Sequence, residues 1–115
     1  MVSVAIPFYN QERFIIETLE SVLKQKTDFD YEIVAGDDCS TDNSCAILID
    51  FQKKHPNKIR VIFNNPNLGL VLNIGNILDN CRGKYIALLG GDDLFASENK
   101  LQKQYNFIEK TQSLV

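Results

Sequence analysis

At 115 residues, with 44% hydrophobic and 23% charged residues, the chain has the composition of one soluble globular domain, which excludes a disordered or fibrous design. Its net charge of -3 gives no general attraction to nucleic acid, and Lys53, Lys54, Lys58 and Arg60 form the only notable basic cluster. Cys39, Cys45 and Cys81 are odd in number and lack CxxC spacing, and no apolar run is long enough to span a bilayer. A reducing, cytoplasmic setting is therefore expected, with no transmembrane segment in this chain.

Residues 2–6 form an apolar, β-branched run and open the chain as a strand. Ile15, Leu19 and Val22 then follow with helical spacing, and Asn10 is the expected cap of that helix. A second strand is expected over 31–35, and a second helix carries Ile47 and Phe51 behind Thr41 or Asp42 as cap. The third strand is 59–63, and Ile74, Ile77, Leu78 and Cys81 mark a helix that Gly83 is expected to end. A fourth strand over 85–89 and a helix through Leu101, Tyr105 and Ile108, capped by Ser97, complete the chain.

This β-α alternation implies a three-layer α/β/α, Rossmann-like, mostly parallel sheet with right-handed crossovers. Ligands of such sheets bind beyond the carboxyl ends of the strands, near the point where the strand order reverses. The polar signals fall at those ends. Pro7, Tyr9 and Asn10 follow the first strand, Asp37 and Asp38 the second, Asn64 and Asn65 the third, and Asp92 and Asp93 the fourth.

Two carboxylates about 5 Å apart repel by roughly 3 kcal/mol at an effective dielectric near 20, so an adjacent pair on a converging rim calls for a counter-charge. Mg²⁺ or Mn²⁺ suits oxygen ligands and commonly bridges one or two carboxylates to substrate phosphates. Gly90 and Gly91 before the pair let a ligand approach the backbone. The alternative is that Asp92 and Asp93 only turn the chain; the second pair, Asp37 and Asp38, weighs against it, because Asp42 and Ser44 already supply cap chemistry there.

No GxGxxG follows a strand and no GxxxxGK[ST] occurs, so dinucleotide and P-loop cradles are missing. His55, the only histidine, precedes the third strand, at the wrong end of the sheet for a triad. Cys39 neighbours two acids that suppress its thiolate, and Tyr9 fits either base stacking or packing beside the strand.

Four ordered segments, VSVAIPFYN, EIVAGDDCSTDNS, NPNLGLVLN and GKYIALLGGDD, resemble the family 2 glycosyltransferases of the GT-A, or nucleotide-diphospho-sugar transferase, fold, over nearly the whole chain. The resemblance implies that Pro7, Tyr9 and Glu12 line a nucleotide pocket and that Asp38 hydrogen-bonds the base, typically uracil, with Asp37 supporting the loop. It further implies that Asn67, Gly69 and Asn73 shape a third wall, that Asp92 approaches the ribose, and that Asp93 binds Mg²⁺ or Mn²⁺ on the donor diphosphate. Many relatives carry an arginine where Leu72 stands, and many have an acid or small polar residue before the final pair of GGDD.

The implied activity is transfer of a sugar with inversion from a UDP-sugar to a glycan or lipid-linked acceptor hydroxyl, as in polysaccharide biosynthesis at the cell envelope. The implied location is cytoplasmic, peripheral at the inner face of the membrane in a longer protein. In the family the general base lies further along, and the chain stops at Leu114 and Val115, so a truncated domain is expected, with the base beyond Val115 and donor binding without efficient transfer. In a 3-2-1-4 order the last strand is an apolar edge, which predicts a homodimer through that edge. Two alternatives stand beside this: a receiver-like phosphoacceptor domain, which needs acids after the first strand and a fifth strand, and a non-catalytic nucleotide-sugar-binding module.

Overall fold

A computed structural model of the chain describes residues 1–112, with side chains through residue 110. Leu114 and Val115, on which the expectation of truncation turns, lie outside the described residues. The elements alternate without exception: β1 (Val2–Phe8), α1 (Ile15–Leu23), β2 (Tyr31–Asp37), α2 (Ser44–Lys54), β3 (Ile59–Phe63), α3 (Leu70–Asp79), β4 (Tyr85–Leu88) and α4 (Lys100–Gln112). The four strands are all parallel, in the order β3-β2-β1-β4, as the sequence predicts.

Side chains alternate across a strand, and that period sorts the core into two layers. Val2, Val4, Ile6 and Phe8 of β1 point to the same face as Tyr31, Ile33 and Ala35 of β2, and meet Ile15, Leu19 and Val22 of α1, Leu48 of α2 and Leu101 of α4. Ala5 and Val34 point the other way and meet Ile77 of α3. Three helices thus cover one face and α3 covers the other. Gly36 permits the close seat of α3, since a Cβ there would come within 2.6 Å of Asn73 and Ile77.

Pro7 sits inside a central strand, which ordinarily breaks a ladder. Pro7 shares its side of β1 with Ala5, whose carbonyl accepts the Leu89 N–H, and pairing with β4 ends at Ala5 opposite Leu88. The missing N–H therefore falls where β4 has already left, and no ladder bond is lost.

Three local expectations are corrected. Asn10 does not cap α1: the helix starts at Ile15 after a turn from Gln11, and Asn10 has a φ of 50° and accepts the N–H of Thr41 at 2.7 Å instead. Gly83 does not end α3, which stops at Asp79 with Asn80 as its cap residue. Ser97 lies before a helix that begins only at Lys100. Asn10 and Gly83 are instead taken up by long-range contacts with Thr41 and Ser3. Asp42 does contribute at the start of α2, accepting the Ser44 N–H at 2.9 Å.

The basic cluster disperses into private contacts: Lys54 pairs with Asp50, Lys58 lies over the Tyr31 ring, and Arg60 pairs with Glu32. His55 stacks on Phe51 at the end of α2, away from the strand ends that matter below. The three cysteines are free thiols. Among the described residues no helix is long and apolar enough to cross a membrane. β4 is an edge strand among the described residues, with Ile86 and Leu88 exposed on the same face of the sheet as Ala5, the α3 side.

Candidate functional site

The strand order reverses between β1 and β4, and a cleft of about 420 Å³ opens beyond their carboxyl ends. Of the residues picked from the sequence, Pro7, Tyr9, Asp38, Asn67, Gly69, Asn73 and Asp92 all line it. Phe8, Gln11, Leu70, Gly90 and Gly91 complete the wall. Tyr9 is 48% exposed and offers its ring to the opening.

Asp38 is the organising group. Only 3% exposed, its carboxylate accepts the backbone N–H of Leu68 at 2.7 Å and of Gly69 at 2.9 Å, and the side-chain amide of Asn64 at 3.1 Å. A carboxylate has about four acceptor positions, so one remains. Its carbonyl accepts the Asn67 amide at 2.8 Å, tying the same loop twice. Asn64 also donates to Asn73, Asn73 donates to the Gly36 carbonyl, and Asn76 donates to Asn64. A connected amide network beneath the cleft thereby satisfies every buried polar group it contains that the sheet leaves open.

Asp37, one residue earlier, points to the opposite face and is consumed internally. It accepts from the Ser40 N–H and hydroxyl and from the Cys45 thiol, at 3.0, 2.6 and 3.0 Å. Burial, followed by the hydrogen bond and charge of Asp37, pushes the Cys45 thiol up to about 11. Glu12 is exposed and does not line the cleft; its backbone N–H donates to Asp42. Leu72, at the arginine position of many relatives, is 64% exposed and brings no charge to this side.

Asp92 lines the cleft, whereas Asp93 stands beside it: a Cβ on Gly90 would lie 2.8 Å from the Asp93 carboxylate. Gly91 has a different reason from the one the sequence suggests. Its bare Cα is packed against the Pro7 carbonyl, Phe8 and Gln11, so the wall of the cleft, rather than a ligand, occupies the space. Among the described residues no cation pairs with Asp92 or Asp93, and no group of three or more His, Cys, Asp or Glu side chains could hold a metal by itself. A cation here has one or two protein carboxylates to bind, which fits Mg²⁺ or Mn²⁺ completing its shell with waters and phosphate oxygens.

Sequence reasoning missed Gln11, which accepts the Tyr9 N–H and abuts Gly91, and Thr18, whose hydroxyl reaches the carbonyls of Gly91 and Asp93. The one available signal for Thr18 was a polar residue within the apolar stripe of α1.

The sequence pattern of glycosyl transferase family 2 matches residues 3–115. The chain is 36% identical over 115 residues to a poly(ribitol-phosphate) beta-glucosyltransferase of Bacillus spizizenii, covering 97% of this chain and 18% of that one. It is 32% identical over 112 residues to glycosyltransferase GlyG of Streptococcus pneumoniae, covering 96% of this chain and 36% of that one. The fold superposes on S. aureus TarS 1-349 in complex with UDP with a TM-score of 0.81 and 30% identity, over 95% of this chain and 32% of TarS. The chain spans less than half the length of these relatives. With the pattern matched from residue 3 onward and a GT-A sheet carrying an acidic cleft at its switch point, the chain belongs to glycosyl transferase family 2.

Proposed function

We propose that this chain is the donor-binding part of an inverting, metal-assisted glycosyltransferase, and that its cleft takes the nucleoside diphosphate of a UDP-sugar. The observation that carries this is the convergence of Asp38, Asn67, Asn73 and Asp92 on one cleft with Asp93 beside it, where no cation among the described residues pairs with Asp92 or Asp93. TarS, 30% identical to this chain, has been crystallised with UDP and with UDP-GlcNAc, which supports the same donor class here.

In this assignment the Tyr9 ring flanks the base, and the free acceptor position of Asp38 takes an N–H of uracil. The preset Leu68 and Gly69 contacts hold that carboxylate in place before the ligand arrives, so little order is lost on binding. Asp92 accepts a ribose hydroxyl, Asn67 and Asn73 close the third wall, and Asp93 holds Mg²⁺ or Mn²⁺. When bound, such a cation neutralises charge on the departing diphosphate. None of these residues is assigned as the base that deprotonates the acceptor hydroxyl, a glycan or lipid-linked group at the cytoplasmic membrane face. The homodimer expected at the β4 edge belongs to the same proposal; a clean monomer by light scattering at high concentration refutes it.

Calorimetry with UDP, with and without Mn²⁺, tests the donor site. Binding is expected to strengthen with Mn²⁺ and to weaken about tenfold or more in Asp93→Asn and Asp92→Asn, since each removes a charge-assisted contact. Equal affinity in the wild type and both variants would overturn the assignment.

A further inference from the structure

Residues 89–99 carry the acidic pair yet form no helix or strand of their own, so their backbone groups must be satisfied from elsewhere. One helix does most of this. Thr18, only 1% exposed, directs its hydroxyl to the carbonyls of Gly91 at 3.1 Å and Asp93 at 2.6 Å. A hydroxyl has one proton, so the shorter contact to Asp93 holds it and Gly91 shares it weakly. Ser21 accepts the Phe95 N–H at 3.0 Å while donating to the Thr18 carbonyl. Gln25, just past the end of α1, donates to the Ser97 carbonyl at 2.7 Å and accepts the Leu101 N–H at 2.8 Å.

Thr18 and Ser21 share one side of α1 and Gln25 follows just past its end, and together they grip residues 91, 93, 95, 97 and 101 in the same order. Below Gln25 the contact continues through the backbone, where the Lys26 N–H donates to the Glu98 carbonyl. The rest of the inward side of α1 is Ile15, Leu19 and Val22, buried in the core shared with β1. α1 is thus fixed by apolar packing to the strand whose end forms the cleft, and it fixes the acidic segment by polar contacts. The Asp92 and Asp93 side chains are set relative to Pro7 and Tyr9 through α1 as well as through β4.

We propose that Thr18, Ser21 and Gln25 are positioning residues that hold the acidic segment, with Asp92 lining the cleft and Asp93 beside it, so that cation-dependent binding of a nucleoside diphosphate requires the Thr18 hydroxyl. This rests on the donor-site assignment above. Thr18→Val keeps the branched shape and removes the proton donor, leaving the Asp93 carbonyl without it. UDP affinity without cation, which draws on Asp38 and Tyr9 as well as Asp92, is expected to change less than the cation-dependent gain. The gain on adding Mn²⁺ is expected to fall about tenfold, equivalent to about 1.4 kcal/mol. Thr18→Ser, which restores the hydroxyl, is expected to recover that gain.

Amide hydrogen exchange gives a second readout that does not need a ligand. In Thr18→Val the Asp93 and Phe95 amides are expected to exchange about tenfold faster, while β1 and β2 amides keep their protection. A Thr18→Val protein with lowered stability but unchanged Mn²⁺ dependence and unchanged exchange at 93 and 95 would overturn the proposal and leave Thr18 a folding residue. If the wild type shows no Mn²⁺-dependent UDP binding, the donor assignment fails first and the requirement for the hydroxyl falls with it; exchange then decides separately whether α1 holds the loop. Should Thr18→Val not fold, Ser21→Ala, at a half-buried position, takes its place in both measurements.

Discussion

The two ends of the sheet treat carboxylates in opposite ways. At the amino ends of the strands Glu32 is enclosed: the Ser3 hydroxyl donates to it at 2.5 Å, the Arg82 N–H at 2.7 Å and the Arg60 guanidinium at 3.0 Å. Arg60 also donates to the Asn80 carbonyl, and the Gly83 N–H to Ser3, so the network stitches the exit of α3 to β1, β2 and β3. At the carboxyl ends no cation among the described residues pairs with Asp92 or Asp93. An acid enclosed with its own counter-charge is complete, whereas the proposed donor site leaves its acidic pair for a charge that would arrive with a ligand.

The largest test of this contrast is Glu32→Ala. It removes a 9% exposed acid and leaves the guanidinium of Arg60, itself only 33% exposed, without its partner, along with the Ser3 and Arg82 donors. Breaking an enclosed pair from one side costs about 3 kcal/mol, which urea denaturation would read directly. A change below about 1 kcal/mol would mean the network is ornamental, and the two ends would then differ in appearance only.

Acid titration examines the same group without mutation. Burial alone raises the Glu32 pKa, but hydrogen bonds from Ser3, Arg82 and Arg60, together with the Arg60 charge, outweigh it and hold the carboxyl below its ordinary 4.5. Because the folded pKa is depressed, the stabilisation is fully present above about 4.5 and fades as pH falls through the folded value. Glu32→Gln is expected to flatten the acid limb of the stability curve, measured by urea midpoints from neutral pH downward. A mutant limb as steep as the wild type's would assign that limb to other carboxylates.

Asp37 lies between the two cases, at the carboxyl end of β2 but turned inward. With Cys45 pushed up to about 11 against an ordinary 9.0, its thiolate fraction near pH 8 is roughly a hundredfold below that of an ordinary cysteine. Iodoacetamide labelling of the folded chain, resolved by peptide mass, is expected to leave Cys45 correspondingly slow until the chain is unfolded. Equal rates in folded and unfolded chains would show that Asp37 is not sealed against the thiol and belongs with the open acids.

Much of this was legible before any coordinates. Four β-branched runs with polar ends, separated by helical spacing, are enough to fix a parallel sheet and to put Asp38 and Asp92 on one rim, while Asn67 and Asn73 entered only through the resemblance to family 2. What the sequence treats as equal the pleat separates. Asp37 and Asp38 are identical neighbours, yet a period of two sends one to the α2 side and the other to the α3 side, where only the latter meets the cleft. The caps at Asn10 and Ser97 failed for a related reason: their backbone neighbourhoods are organised by residues 30 or more positions away, which local propensity does not record. Thr18 was hidden by its surroundings, because a threonine in an apolar stripe reads as core until the loop it serves is in place.

The smallest expected stability change is the most discriminating for the open end. Asp92→Asn and Asp93→Asn remove charge from exposed carboxylates that no protein cation compensates, so stability in the absence of ligand should move by no more than about 0.5 kcal/mol. The sign is expected to be stabilising, since each substitution relieves repulsion within the pair. The same variants should lose the stabilisation that Mn²⁺ and UDP together confer on the wild type by mass action. Denaturation with and without ligand therefore separates the two ends on one axis: Glu32 is expected to contribute to the fold alone, and Asp92 and Asp93 only to the liganded state.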